Sequence, residues 1–246
     1  TNREISIAAD GGTLTFTDST IDSKNGEIDL SGDSVFVDGS TVTTNRGISI
    51  AADSGTLSAS SATIDSTNGE IELDGRSVDA GEAQITTNRE ITISADGGTL
   101  TLTDATVDST NGDIDLSGGT VEAAGATIDT NTAISISSSS GDVRLTTASV
   151  TSTNGEIEVE SAARVLASGA VLETNVEISI VASGDVDLGN GQLTSQNGQV
   201  SIDLDRDSAT LSIDGTVLDD RDGTITYSPA AATVSGTPAR GTVQPA

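Results

Sequence analysis

Carboxylates are the most abundant side chains in this sequence that could do chemistry. Asp and Glu number 38 against 10 Lys and Arg, and the chain contains no His and no Cys. Paired carboxylates serve as general acid and base in glycoside hydrolysis, whereas clustered carboxylates bind calcium. Two irregular charged stretches, 203–207 and 219–222, interrupt an otherwise repetitive chain. With two Phe, one Tyr and no Trp to hold a sugar, we predict solvated loops there, no catalytic residue and no enzyme.

Regularly spaced aspartates raise the question of a metal site. Asp10, Asp53 and Asp96 recur every 43 residues, and an interval of two turns of a coil would place neighbours about 9.6 Å apart. Calcium needs oxygen ligands within about 2.3–2.6 Å, so one ion cannot bridge two of these aspartates. The sequence therefore predicts no discrete metal site and no cofactor, with diffuse cation binding to the acidic surface.

A recurring asparagine reveals the elements that carry these side chains. Its spacing alternates between 23 and 20 residues along most of the chain, which is typical of a solenoid whose turns bury their apolar faces against one another. We predict that these asparagines occupy one corner and that their amides form a ladder along the axis. Where Gly follows, we expect positive φ at the glycine. The alternative is that they are turn residues facing solvent. The positions are Asn2, Asn25, Asn45, Asn68, Asn88, Asn111, Asn131, Asn154, Asn175 and Asn197.

Apolar residues between these corners alternate with polar ones. In the first turn Ile5 and Ile7, Leu14 and Phe16, and then Ile21 lie at such positions. Residues two apart point to the same side of a strand, so each turn should contain three short strands. The predicted fold is all-β: a single-stranded parallel β-helix of about ten turns, about 50 Å long.

The pattern weakens toward the C-terminus. The inward register slips near 164–166, where we expect a β-bulge, and Asp222-Gly223 replaces Asn-Gly. We assign 1–227 to the β-solenoid. The segment 228–246 holds all three prolines, and we interpret it as a Pro/Ala/Gly-rich cap, tail or inter-subunit clasp.

The first turn starts in phase with the repeat and has no sequence that looks like a cap. An uncovered rung exposes a strand edge that can pair with another chain. We expect either a chain excised from a longer solenoid or head-to-tail stacking of identical subunits. We expect no membrane span. The predicted stacking residues are Glu4, Ile5, Ser6, Ile7, Thr224, Ile225, Thr226 and Tyr227.

The net charge of −28 is spread along the whole chain, with a single Lys. Such a composition is similar to that of proteins from extreme halophiles, archaea among them, and the alternative is an acidic surface protein of a mesophile. Phosphate recognition needs clustered Lys and Arg, so nucleic acid is not an expected partner.

The repeats GTLTLTDATVDSTNGDIDLSGG and SGTLSASSATIDSTNGEIELDG resemble those of filamentous haemagglutinin-type adhesins, which are secreted β-helices. The resemblance spans about 1–227 and implies an extracellular or cell-surface protein, with cell-surface or polysaccharide ligands as further partners. We predict a structural protein, the protomer of a head-to-tail surface filament in a halophilic microbe. A monomeric stalk segment of a large adhesin is the first alternative. An ice-binding or polysaccharide-acting β-helix is the alternative of another class.

Overall fold

The computed structural model describes residues 2–219, 224–229 and 231–246. These residues form a parallel β-solenoid of about eleven turns with three strands to a turn and no helix. The predicted fold class is confirmed, with one turn more than the ten counted from the sequence. The described part of the chain therefore offers no helix that could span a bilayer.

Two strand patterns divide the solenoid. In the first six turns a long strand, which spans two sides of the coil, is followed by a short one: β1 (Ile5–Thr15), β2 (Thr20–Ser23), β3 (Ile28–Phe36), β4 (Thr41–Thr44), β5 (Ile48–Ser58), β6 (Thr63–Ser66), β7 (Ile71–Asp79), β8 (Gln84–Thr87), β9 (Ile91–Thr101), β10 (Thr106–Ser109), β11 (Ile114–Glu122) and β12 (Thr127–Thr130).

In the later turns the long strand is divided in two. The strands are β13 (Ile134–Ser138), β14 (Val143–Arg144), β15 (Ser149–Ser152), β16 (Ile157–Ser161), β17 (Val165–Leu166), β18 (Val171–Thr174), β19 (Ile178–Ala182), β20 (Val186–Asp187), β21 (Gln192–Ser195), β22 (Val200–Leu204), β23 (Thr210–Ser212), β24 (Val217–Asp219), β25 (Thr224–Ser228), β26 (Thr233–Ser235) and β27 (Thr242–Pro245).

Every strand pairs in parallel with its equivalents one turn away, which makes one sheet of 17 strands and one of ten. The register explains why turns of 23 and 20 residues alternate. Two of the three extra residues lie in the long strand, where the register shifts between Ala9 and Thr13 against β3. The third lies at the asparagine corner. Ile21 is in register with Val42 and Ile28 with Ile48, but the chain takes seven residues from Ile21 to Ile28 and only six from Val42 to Ile48.

The prediction of a β-bulge near 164–166 is wrong. Val165 pairs in register with both Val143 and Val186. The turn is two residues shorter than its predecessor. The loop between β16 and β17 has one residue fewer than the loop between β13 and β14, and the loop between β18 and β19 has one fewer than the loop between β15 and β16. The register shifts of the described pairs lie in the earlier turns instead, for example between Gly75 and Val78.

The core is a continuous column of Ile, Leu, Val and Ala side chains along the axis, most of them fully buried. Because the parallel register places each side chain above its equivalent, the same residue types stack from turn to turn, as Ile71, Ile91 and Ile114 do. The first turn differs, since Ile5, Leu14 and Phe16 are only partly buried.

The C-terminal segment 228–246 includes β26 and β27. The strand β26 pairs with β23, β27 pairs with β25, and Arg240 forms a bridge with Val217. Backbone from this segment thus lies on all three sides of the coil. The Asp222-Gly223 corner lies outside the described residues.

Candidate functional site

The asparagine corner is the most regular polar feature of the molecule. Four amide–amide hydrogen bonds run along it among the described residues, and each joins the asparagine of an Asn-Gly pair to the asparagine one turn earlier. Asn197 and Asn175 are joined through the backbone instead, with the amide nitrogen of Asn197 3.1 Å from the Asn175 carbonyl oxygen. In the four amide–amide bonds Nδ2 of the later asparagine donates to Oδ1 of the earlier one: Asn25 to Asn2, Asn68 to Asn45, Asn111 to Asn88, and Asn154 to Asn131.

A second row of polar side chains lies buried directly behind the asparagines, and it was not predicted from the sequence. We call this row the hydroxyl column. Each member is at most 7% exposed, and Ser alternates with Thr from the first member to the last. The members are Ser23, Thr44, Ser66, Thr87, Ser109, Thr130, Ser152, Thr174 and Ser195.

The hydroxyl column links the backbones of successive turns. Ser109 Oγ donates to the Arg89 carbonyl of the previous turn and accepts from the Gly112 amide at 3.0 Å. Thr130 Oγ1 then donates to the Gly112 carbonyl at 2.7 Å and accepts from the Thr132 amide at 3.2 Å. A buried backbone group without a partner costs free energy. The column therefore satisfies groups at this corner that the strand ladders leave unpaired.

The glycine of each Asn-Gly pair is required by a close approach between turns. An added Cβ on Gly69 would lie 2.1 Å from the Arg46 carbonyl carbon and 2.2 Å from the Gly47 nitrogen. The expectation of positive φ at this glycine is wrong, because the left-handed residues lie at another corner, as Asp104 (φ 57) and Gly125 (φ 70) do. Neighbouring backbone, and not local conformation, excludes a side chain here.

The predicted stacking residues lie at different depths in the coil. Ile5 and Ile7 belong to the partly buried first turn. Ile225 and Tyr227 are buried, and β27 covers them through the pairs Ile225–Val243 and Tyr227–Pro245. The outer strand at this end of the described coil is therefore β27 and not 224–227.

The irregular acidic stretch is attached to neighbouring turns. Asp203 accepts a hydrogen bond from Ser228 Oγ at 2.7 Å, and Asp205 accepts one from Ser183 Oγ at 2.9 Å. Asp219 forms an ion pair with Arg240 at 3.0 Å, while 220–222 lie outside the described residues. In the part of the chain that the structure describes, no three acidic side chains converge in a way that could hold a metal ion.

Carboxylates on the ten-stranded sheet mostly alternate with threonine along the axis. Thr86 Oγ1 lies 3.3 Å from Asp65 Oδ1 in the previous turn, a hydrogen bond that spreads the charge. The alternation fails where Asp129 stacks directly on Asp108. Partial burial, and then the charge of Asp108, raise the pKa of Asp129.

Substitution Asp129→Thr is expected to stabilise the fold at neutral pH. The change removes a stacked like charge and restores a hydroxyl that can donate to Asp108, with a gain of about 0.5 kcal/mol because solvent screens the pair. Thermal unfolding should show a higher midpoint in low salt and a smaller gain in molar salt. Asp96→Thr is the matched control, because it removes the same charge from an exposed residue. An equal gain in the control would mean that net charge alone is responsible.

An ion-pair cluster forms around Asp142 on the 17-stranded sheet. Its carboxylate accepts from Arg164 Nη2 at 2.7 Å, Arg164 Nε at 3.1 Å and Arg144 Nη2 at 3.1 Å. The side-chain hydrogen bond from Arg164 is the main reason that the pKa of Asp142 is lowered. Arg144 Nε lies 3.0 Å from Glu122 Oε1 but makes no hydrogen bond, so that contact is electrostatic only.

The lowered pKa predicts an acid-sensitive contribution to stability. A carboxyl whose pKa is lower in the folded state stabilises the fold above its ordinary value of 3.8, and this contribution is lost as the pH falls through the lowered pKa. Asp142→Asn should lower the thermal midpoint by a few degrees at neutral pH, and the gap should narrow as the pH falls below 3.8 and through the lowered pKa. Parallel curves for the two proteins across this range would contradict the assignment.

The chain was compared with protein-family models, curated proteins and solved structures, and none of them matches it. The β-solenoid architecture is compatible with a structural repeat protein.

Proposed function

We propose that this protein is a non-enzymatic structural rod of the cell surface or the extracellular space, which holds other groups at a fixed distance. The observation that carries the proposal is the continuity of the coil. The aliphatic core, the strand ladders and the hydroxyl column run together through successive turns. Because each turn is bonded to the next along three sides, a load along the axis is shared by many parallel hydrogen bonds.

The outward surface supports a spacer better than an enzyme. Its side chains are mostly short and polar, and its grooves are shallow, such as the one lined by Glu27, Asp29, Glu70 and Glu72. General acid–base catalysis on a sugar needs carboxylates on both sides of a bound substrate. These carboxylates instead point outward from one sheet, which suits hydration and diffuse cation binding.

Ice binding is less well supported than a spacer role. That function would need an unbroken row of threonines across one face. One row of residues in register on the 17-stranded sheet consists of Thr15, Phe36, Ser58, Asp79 and Thr101. A large apolar ring and a carboxylate interrupt the hydroxyls, so ordered water would not find a regular lattice.

Two forms of the rod are proposed, and they differ in what packs against the ends of the described coil. Ile5, Leu14 and Phe16 are partly buried and would be covered by a further turn, which an identical chain would supply in a head-to-tail filament. At the other end Pro245 lies in β27, and proline in an edge strand removes a hydrogen-bond donor. That feature favours the second form, a stalk segment of a large surface adhesin, in which cell-surface or polysaccharide ligands would be bound elsewhere.

Electron microscopy of the purified chain in molar salt, at several concentrations, tests these two forms. Filaments with a subunit repeat of about 50 Å would support the filament. Short rods of that length at every concentration would support the stalk segment. Compact round particles would contradict both forms, because neither allows the coil to fold back on itself.

We propose further that the protein works in high salt, as the proteins of halophilic microbes do. A net charge of −28 repels itself strongly when counterions are dilute, since the screening length grows from about 3 Å at 1 M to about 30 Å at 0.01 M. Lowering the salt from molar to millimolar should therefore cause loss of the β-sheet circular dichroism signal. An unchanged signal and thermal midpoint would contradict adaptation to salt.

A further inference from the structure

Six Asn-Gly pairs occur in the described chain, at Asn25, Asn68, Asn111, Asn154, Asn190 and Asn197. Asparagine followed by glycine is chemically labile because the small glycine lets its backbone nitrogen reach the asparagine side chain. That nitrogen forms a bond to Cγ and loses its proton, the Cγ–Nδ2 bond breaks, and ammonia leaves with the proton. Water then opens the resulting succinimide at either carbonyl and yields aspartate or isoaspartate.

The hydroxyl column holds the attacking nitrogen in five of the six pairs. The amide of Gly69 donates to Ser66 Oγ at 3.0 Å, and the amide of Gly198 donates to Ser195 Oγ at 3.1 Å. At Asn190 the following amide, that of Gly191, donates instead to the Leu188 carbonyl at 2.8 Å. The glycine nitrogen is thus fixed by a hydrogen bond at every Asn-Gly pair of the described residues.

The attacked side chain is held at only four of the six. In Asn25, Asn68, Asn111 and Asn154, Nδ2, which is the leaving group, donates to the asparagine of the previous turn. The side chains of Asn190 and Asn197 make no such amide bond within the described coil. Both lie in the later turns, where Asn197 follows Asn175 after 22 residues and not 23.

We propose that Asn190 and Asn197 are the sites of spontaneous deamidation in this protein, and that the asparagine pairs protect the other four. Reaction at a paired site must first break the amide–amide bond, whereas reaction at Asn190 or Asn197 need only release the glycine. As the protein ages, deamidation would therefore accumulate in the C-terminal turns of the coil. Each event adds a negative charge to a chain of net charge −28, and isoaspartate lengthens the backbone and disturbs the strand register in the C-terminal turns.

Peptide mass mapping of the full chain, aged at mildly alkaline pH in molar salt, tests the proposal. The same peptides from the denaturant-unfolded chain give the intrinsic rate at each pair, so that each site has its own reference. Relative to that reference, Asn190 and Asn197 should react about five- to thirtyfold faster than the four paired sites, the range that one lost hydrogen bond permits. Equal protection at all six sites, or faster reaction at a paired site, would overturn the proposal.

A variant pair isolates the amide bond from overall stability. Asn45→Ala removes the acceptor for Asn68 without touching the Asn68-Gly69 bond or Ser66. The rate should rise about five- to thirtyfold at Asn68 alone, and Asn45→Asp, which keeps an acceptor oxygen, should leave it near the parent value. An unchanged rate at Asn68 in Asn45→Ala, or an equal rise at all sites in both variants, would contradict protection by pairing.

Discussion

Gly69→Ala is expected to destabilise the coil by at least about 3 kcal/mol or to prevent it from folding. The new methyl group would lie 2.1 Å from the Arg46 carbonyl carbon, which is far inside van der Waals contact. Backbone atoms cannot rotate away as a flexible side chain can. Relief would require the two turns to separate, and this would lengthen the ladder bonds on both sides of the corner.

Urea or thermal unfolding in molar salt measures the effect. Gly12→Ala is the matched control, because the nearest atom that its Cβ would meet is the Ala9 carbonyl oxygen at 3.9 Å. We expect the control to change the free energy of unfolding by less than about 1 kcal/mol. If both variants unfold at the same denaturant concentration, the close approach between turns does not exist in solution.

Ser109→Ala is expected to cost about 2–4 kcal/mol, which is a large effect for the removal of one oxygen atom. The change leaves the Arg89 carbonyl without its side-chain donor and the Gly112 amide without its acceptor. Ser109 is fully buried, so water cannot replace the hydroxyl without opening the corner.

The matched control for the hydroxyl column is Ser49→Ala. Ser49 occupies an outward-facing position on the 17-stranded sheet. Removal of its hydroxyl should change the free energy of unfolding by less than about 0.5 kcal/mol. Chemical unfolding of both variants provides the comparison. A cost below about 1 kcal/mol for Ser109→Ala would contradict a role for the column in satisfying buried backbone groups.

The inward-facing apolar positions were predictable from sequence because they rest on a local rule. Side chains two apart in a strand share a face, and Ile5, Ile7, Leu14 and Phe16 followed from that rule directly. The hydroxyl column obeys the same alternation, since Ser23 comes two residues after Ile21. It was overlooked because Ser and Thr are usually exposed. A hydroxyl residue nevertheless precedes every corner asparagine from Asn25 onward, Ser by two positions and Thr by one in alternate turns, and this was a readable signal.

Contacts between turns were harder to predict than positions within a turn. The glycine after Asn68 was explained by its own φ, whereas the structure explains it by the backbone of Arg46. The asparagine ladder was predicted as a single row, yet the described amide bonds join its members in pairs. Both features depend on distances between residues about 20 positions apart, which the sequence pattern does not specify.

The proposed rod depends above all on turns that stack as one straight, rigid series. The chain has no Cys, so two cysteines introduced at chosen positions on the ten-stranded sheet would be the only sites that carry thiol-reactive spin labels. Thr20, Thr106 and Gln192 belong to one row in register. Four turns separate Thr20 from Thr106, and four more separate Thr106 from Gln192. Pulsed electron resonance should give narrow distributions near about 19 Å for Thr20–Thr106 and about 38 Å for Thr20–Gln192. Broad distributions, or a second distance that is not about twice the first, would contradict the rod.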